Sequence, residues 1–225
     1  MSEANVSSVN GAKHPTKERI LDAAEALFAE HGFEATSLRM ITASACVNLA
    51  AVNYHFHSKD DLIRAVFVRR IGPVNQKRLE LLRAQLEVAG NAQPSLEGVI
   101  RAFVEPVVML RKDPTCADVG RLFGRTYAEP SGTARRAFFD LMREIGRPFT
   151  EAFRRALGDM PQVELLWRIH FSVGVVAHTL AGTDHLATIS GGRCDPSDAE
   201  GTIERMVAFI AAGMRAPLAT GANRS

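Results

Sequence analysis

The chain has 225 residues, 46% of them hydrophobic and 23% charged, with a formal net charge of +2. That composition is globular, excludes a polybasic or polyacidic chain, and leaves any charged binding surface to local placement. The three cysteines, Cys46, Cys116 and Cys194, stand too far apart for a CxxC pair and are odd in number, so they read as small apolar side chains in a reducing compartment.

Residues 1–15, "MSEANVSSVNGAKHP", are polar and lack an apolar h-region, which predicts a disordered arm rather than a signal peptide. A first helix is expected from Thr16 as N-cap, with Ile20, Ala24, Leu27 and Phe28 on its apolar face and Gly32 as its stop. A second begins after Thr36-Ser37 and carries Leu38, Ile41 and Ala45; a third begins at Asn48 with Val52 and Phe56 four apart. A fourth opens at Ser58 and passes through Leu62, Val66 and Phe67, and Gly72-Pro73 should kink or break it. The basic-rich "NQKRLELLRAQLE" continues as helix to a loop at 89–95. Further helical segments are expected at 96–113, 116–128, 133–157, 162–188 and 197–215, with Pro106 and Pro148 kinking two of them and a frayed tail at 216–225. Strand-like alternation is missing, so the fold class is all-α. The longest apolar stretch, "FSVGVVAHTLAG" at 171–182, is too short to span a bilayer; no membrane partner and a cytoplasmic location are expected.

The stretch 37–62 is the informative one. Two short helices joined by three or four residues, the second opening at a polar cap, form a helix-turn-helix. In that motif the second helix enters the major groove of double-stranded DNA, and its N-terminal residues meet base edges. Between Ala35 and Lys59 there is no acid, and Arg39 and Lys59 are the cations. The exposed positions of the reading helix would be Leu49, Ala50, Asn53, Tyr54 and His55. Asn suits a base edge, a Tyr hydroxyl suits a phosphate, and Lys59 adds a cation to a helix N-terminus. Cys46, His55 and His57 could suggest a metal, but the two histidines point differently along a helix and no other ligand cluster accompanies them. No metal or cofactor is expected. GxGxxG, Walker A, HExxH and GxSxG patterns are absent, so the chain reads as a binding protein and not an enzyme.

The ordered set "RILDAA", "FAEHGF", "TSL", "NYHF" and "SKDDL" resembles the DNA-binding domain of the TetR family of transcriptional regulators, over roughly 16–67. The resemblance implies a three-helix DNA-binding domain at 16–62 and a larger helical ligand-binding and dimerisation domain at 63–215. By position it implies phosphate contacts from Thr36, Tyr54, His55 and Lys59, and base reading by Arg39, Asn48, Leu49, Ala51 and Asn53. Cys46 stands where the family's turn usually has Gly, and His57 where a small residue or turn former is common. A non-Gly residue at positive φ costs about 1 kcal/mol, so mild strain is expected at Cys46.

For the larger domain the resemblance implies a cavity for a small apolar or amphipathic effector, bordered by Phe103, Leu110, Met142, Phe153, Trp167, His170 and Phe171. It also implies a homodimer that acts as a repressor on a pseudo-palindromic operator and is released by the effector. Apolar stripes at Leu166, Ile169, Val173, Val176, Ala177 and Leu180, and at Ile203, Met206, Val207, Ile210 and Met214, place the expected dimer contact on 162–188 and 197–215. The alternative function is a helical protein-interaction module with a vestigial helix-turn-helix.

Overall fold

The computed structural model describes residues 15–113, 119, 120, 122, 126, 132–181, 183–195 and 197–218. The expected N-terminal arm, most of the 116–128 segment and residues 219–225 lie outside the described residues. The described helices are α1 (Thr16–His31), α2 (Leu38–Ala45), α3 (Leu49–Phe56), α4 (Lys59–Ala89), α5 (Leu96–Met109), α6 (Gly132–Leu157), α7 (Gln162–Ala181), α8 (Thr183–Ile189) and α9 (Ala199–Arg215). Among the described residues there is no strand.

The head is built from α1, α2, α3 and the start of α4. Pro15, not Thr16, precedes the first turn of α1, which suits proline because the first helical N–H groups lack intrahelical acceptors anyway. Side chains cap the next three helices: Ser37 accepts from the Met40 N–H, Asn48 from Ala51 and Ser58 from Asp61. Ile20, Phe28, Phe33, Ile41, Val52, Leu62, Val66 and Phe67 are fully buried between these helices. The turn between α2 and α3 passes through Cys46 at φ 51° and ψ 50°, the left-handed conformation that the resemblance implied for this position. Arg19 of α1 braces this turn, with Nη2 donating to the carbonyls of Ala45 at 2.5 Å and Cys46 at 2.7 Å.

Helix α4 differs from expectation. It runs unbroken through Gly72-Pro73. Proline removes one ladder hydrogen bond, but this stretch is clamped by packing against α1, α5 and α6, which holds the helical path. One helix therefore extends from the head into the body. Pro106 and Pro148 likewise lie inside α5 and α6.

In the body, α9 packs against α5 and α7, and α6 against α4 and α5. Glu97–Arg215, Arg101–Glu204 and Lys112–Glu200 pairs join the stretch around α5 to α9. The expected dimer stripe of α9 does not face outward: Ile203, Met206, Val207, Ile210 and Met214 are all buried in the chain's own core. The opposite face of α9 exposes Ala208, Phe209, Ala212 and Gly213. On α7, Val176 is buried while Val163, Leu166, Trp167 and Phe171 are exposed. The sequence showed the periodicity of both helices, but a stripe that repeats every three or four residues does not say what covers it.

Candidate functional site

Helices α2 and α3 leave most of the expected base-reading residues exposed. Asn53 and Tyr54 are exposed, Tyr54 to 80%, and Leu49 at the first turn of α3 is exposed beside them. Arg39 on α2 is exposed and has no hydrogen bond or ion pair from its guanidinium among the described residues. His55 is half-buried, with its ring 5.1 Å from that of Tyr54. Lys59 is half-buried in the first turn of α4, where its Nζ donates to the Glu34 carbonyl at 3.3 Å. One such bond leaves the ammonium further donors for a phosphate at the N-terminus of α4.

Three of the expected contacts are placed otherwise. Thr36 is completely buried, and its hydroxyl donates to the carbonyls of Gly32 at 2.7 Å and Leu27 at 3.1 Å. It clasps the α1–α2 turn and cannot reach a phosphate with that group. Asn48 is exposed, but its Oδ1 accepts the Ala51 N–H at 2.9 Å, so only its amide N–H groups remain for a base. Ala51 is half-buried against the head core; it spaces α3 and offers DNA little surface. Sequence patterns identify helix starts, and a starting Thr or Asn serves a cap or a clasp as readily as a ligand.

A second feature lies in the body. An apolar cavity of about 240 Å³ is bordered by Phe103, Phe138, Met142, Phe153, His170 and Val173 among others. It adjoins a smaller space of about 50 Å³, which shares Phe103, Phe138, Met142 and Val173 and is completed by Ile71, Val74 and Arg78 of α4. Of the seven residues expected at a cavity, Phe103, Met142, Phe153 and His170 border it. Leu110 instead borders a separate surface hollow with Pro73, Lys77 and Met109. Trp167 and Phe171 stack at 5.6 Å on the outer face of α7, 54% and 60% exposed. They lie on the helix that bears His170, but a rotation away from the cavity.

Two features of α4 were missed in the sequence. Glu25 of α1 is buried, and both its oxygens face arginines: Arg69 Nη2 at 2.5 Å and Arg70 Nε at 2.8 Å. Asp22 adds a bond to Arg69 Nη1 at 2.7 Å. This ionic clasp fastens the head to α4. Nine residues on, Arg78 is 4% exposed. The sequence did carry a sign of each: Glu25 interrupts the apolar series Leu21, Ala24, Phe28, and Arg78 interrupts Ile71, Val74, Leu82.

Comparison with known proteins agrees with the head and extends to the body. Residues 20–66 match the model for bacterial regulatory proteins of the tetR family. Residues 101–213, half of the chain, match the tetracyclin repressor-like C-terminal domain. The chain belongs to the TetR family. Among curated relatives, the HTH-type transcriptional regulator UidR of Escherichia coli K12 is 38% identical over 55 residues. The probable HTH-type transcriptional regulator YttP of Bacillus subtilis is 43% identical over 51. These matches span 24% and 23% of this chain but only 28% and 25% of those proteins. Solved structures show the same fold over most of the length. The fatty acid degradation regulator FadR of Bacillus halodurans superposes with a TM-score of 0.64 at 16% identity, over 91% of this chain and 99% of its own. FadR of Bacillus subtilis in complex with stearoyl-CoA gives 0.65 at 11% identity, over 87% and 98%.

Proposed function

We propose that this protein is a DNA-binding transcriptional regulator, a repressor whose hold on its operator is released by a small apolar or amphipathic molecule. It acts in the cytoplasm by binding rather than catalysis, with a reading head at 16–62 and a ligand-binding and dimerising body at 63–215. The observation that carries the proposal is the continuity of α4. Its first turn, at Lys59, follows directly on the end of α3 at Phe56, and Ile71, Val74 and Arg78 of the same helix line the cavity space. A ligand that moves α4 moves the head, because the Glu25 clasp ties α1 to it. Mechanically this is a shift between DNA-competent and incompetent arrangements. The stearoyl-CoA of the Bacillus subtilis FadR structure and the triclosan of the SmeT structure support an apolar or amphipathic occupant.

In this reading Leu49, Asn53 and Arg39 meet base edges, and Tyr54, His55 and Lys59 meet phosphates. The partner in solution is a second copy of the chain. Its surface is the exposed face of α7 and α9, where Val163, Leu166, Trp167, Phe171 and Phe209 lie bare. Gly174 and Gly213 face open space there and allow close helix approach. This replaces the buried stripe of α9 with its outer face while keeping the same two helices. Two heads are needed to meet half-sites one helical turn, about 34 Å, apart.

Selection of bound duplexes from a random pool, followed by fluorescence anisotropy on the enriched sequence, tests the function. A palindromic site bound at least about a thousandfold more tightly than unrelated DNA is expected. Salt-sensitive binding without sequence preference contradicts it. Asn53→Ala should lose about 1–3 kcal/mol of discrimination at one operator position. Lys59→Ala should weaken binding to all duplexes alike and lower the salt slope by about one per half-site.

A further inference from the structure

Among the described residues that line it, the smaller space is apolar except at one point. Arg78 projects from α4 into the smaller space with Ile71, Val74, Val107 and Phe138 around it. Its Nε donates to the Phe103 carbonyl at 2.7 Å and its Nη1 to Asn75 Oδ1 at 3.2 Å. The guanidinium carbon lies 4.5 Å from the centre of the Phe103 ring. Asn75 is itself held, with its amide donating to the Leu141 carbonyl at 2.9 Å. Every one of these partners is neutral. Among the described residues Arg78 has no carboxylate partner, and its Nη2 makes no hydrogen bond.

The other buried arginine among the described residues is held differently. Arg168, 6% exposed, pairs with Glu164 at 2.7 Å and donates both terminal nitrogens to the carbonyls of Met214 and Pro217. A buried charge without a counterion is costly, since neutral acceptors replace only part of its hydration. Burial lowers Arg78 to about 10, which still leaves it charged at neutral pH. The guanidinium is planar and presents paired N–H groups that match a carboxylate. The larger cavity next to it, lined by Phe103, Met142 and Phe153, is shaped for an apolar body.

We propose that Arg78 is the anion-recognition residue of the cavity, and that the effector is an amphipathic carboxylate whose head group pairs with Arg78 while its apolar body occupies the adjoining space. The inference rests on the cavity being the effector site. Arg78 stands on α4, so neutralising it acts on the helix that carries the head. Asn75 and the Phe103 carbonyl hold the guanidinium in place for that contact.

Isothermal titration calorimetry near neutral pH tests it, with n-alkanoates from hexanoate to dodecanoate and the n-alkanols of matching length as probes. For the best-fitting length, the wild type should bind the alkanoate at least about tenfold more tightly than the alkanol. Arg78→Met should erase that preference and leave the alkanol affinity within about twofold. Retention of the preference in Arg78→Met overturns the assignment. Should Arg78→Met fail to fold, Arg78→Lys, which keeps the cation and loses the fork, decides: a several-fold drop in preference upholds the assignment and an unchanged preference overturns it. Equal binding of alkanoate and alkanol by the wild type leaves the cavity as an effector site and removes Arg78 from it. Failure of every probe to bind removes both.

Discussion

Two regions of α4 bury charge in opposite ways. At Arg69 and Arg70 the charge is answered: Glu25 lies between the two guanidinium groups, and Asp22 and Glu18 add further pairing to Arg69. At Arg78 no acid among the described residues answers. The first arrangement joins two helices whatever else is bound. The second leaves a cation facing an apolar space, a state that an external anion would relieve. The difference separates a clasp from a sensor on one helix.

Substitutions should separate them. The largest effect is expected from Glu25→Gln, which leaves two arginines facing a neutral group. Removing one member of a buried pair costs about 3–5 kcal/mol, and the lower end applies because Arg69 and Arg70 are each nearly one-fifth exposed. Urea denaturation reads this directly, and a loss below about 1 kcal/mol would mean the clasp contributes little more than a surface pair. Arg78→Met should cost much less, because removal of an uncompensated charge offsets the loss of a donor to the Phe103 carbonyl and Asn75 Oδ1. A loss as large as that of Glu25→Gln would make both regions structural and erase the contrast.

Thr36→Val tests the reassignment within the head. It removes a buried hydroxyl bonded to two carbonyls and should cost about 1–2 kcal/mol of stability. The salt slope of DNA binding should stay unchanged. A slope reduced as in Lys59→Ala would restore Thr36 to the phosphate contacts. On the exposed faces of α7 and α9, Trp167→Glu with Phe209→Glu should give a folded monomer by light scattering, whereas Val207→Glu with Ile210→Glu should unfold the body. Cys46→Gly should be the smallest change, neutral to slightly stabilising. Relief of a left-handed φ offsets the greater entropy of glycine in the unfolded chain, each about 1 kcal/mol.

Much of the fold was legible because helix punctuation is local. Ser37, Asn48 and Ser58 are caps that a reader can find without knowing what surrounds them. Positive φ at Cys46 was signalled only by the family resemblance, which puts Gly at that turn position. The unbroken α4 was not legible, since Gly72-Pro73 is a break by every local rule and only packing against α1, α5 and α6 overrides it. Site residues divide in the same way. Leu49, Asn53 and Tyr54 follow from helix phase, whereas Thr36 was lost to a clasp that depends on the Leu27 and Gly32 carbonyls. Trp167 and Phe171 were misplaced because aromatic content does not reveal which side of α7 meets the core. Arg78 was passed over as one cation in a basic-rich helix, and its place in the stripe of Ile71, Val74 and Leu82 was the sign that mattered.

The link through α4 is tested most directly by reciprocal titration. The affinity of the best-binding alkanoate is measured with and without a saturating amount of the selected operator duplex, and the affinity of the duplex with and without saturating alkanoate. If α4 couples the cavity to the reading head, each partner weakens the other by the same factor, about fivefold to 150-fold. Two independent affinities, unchanged by the other partner, would contradict the coupling of cavity and head.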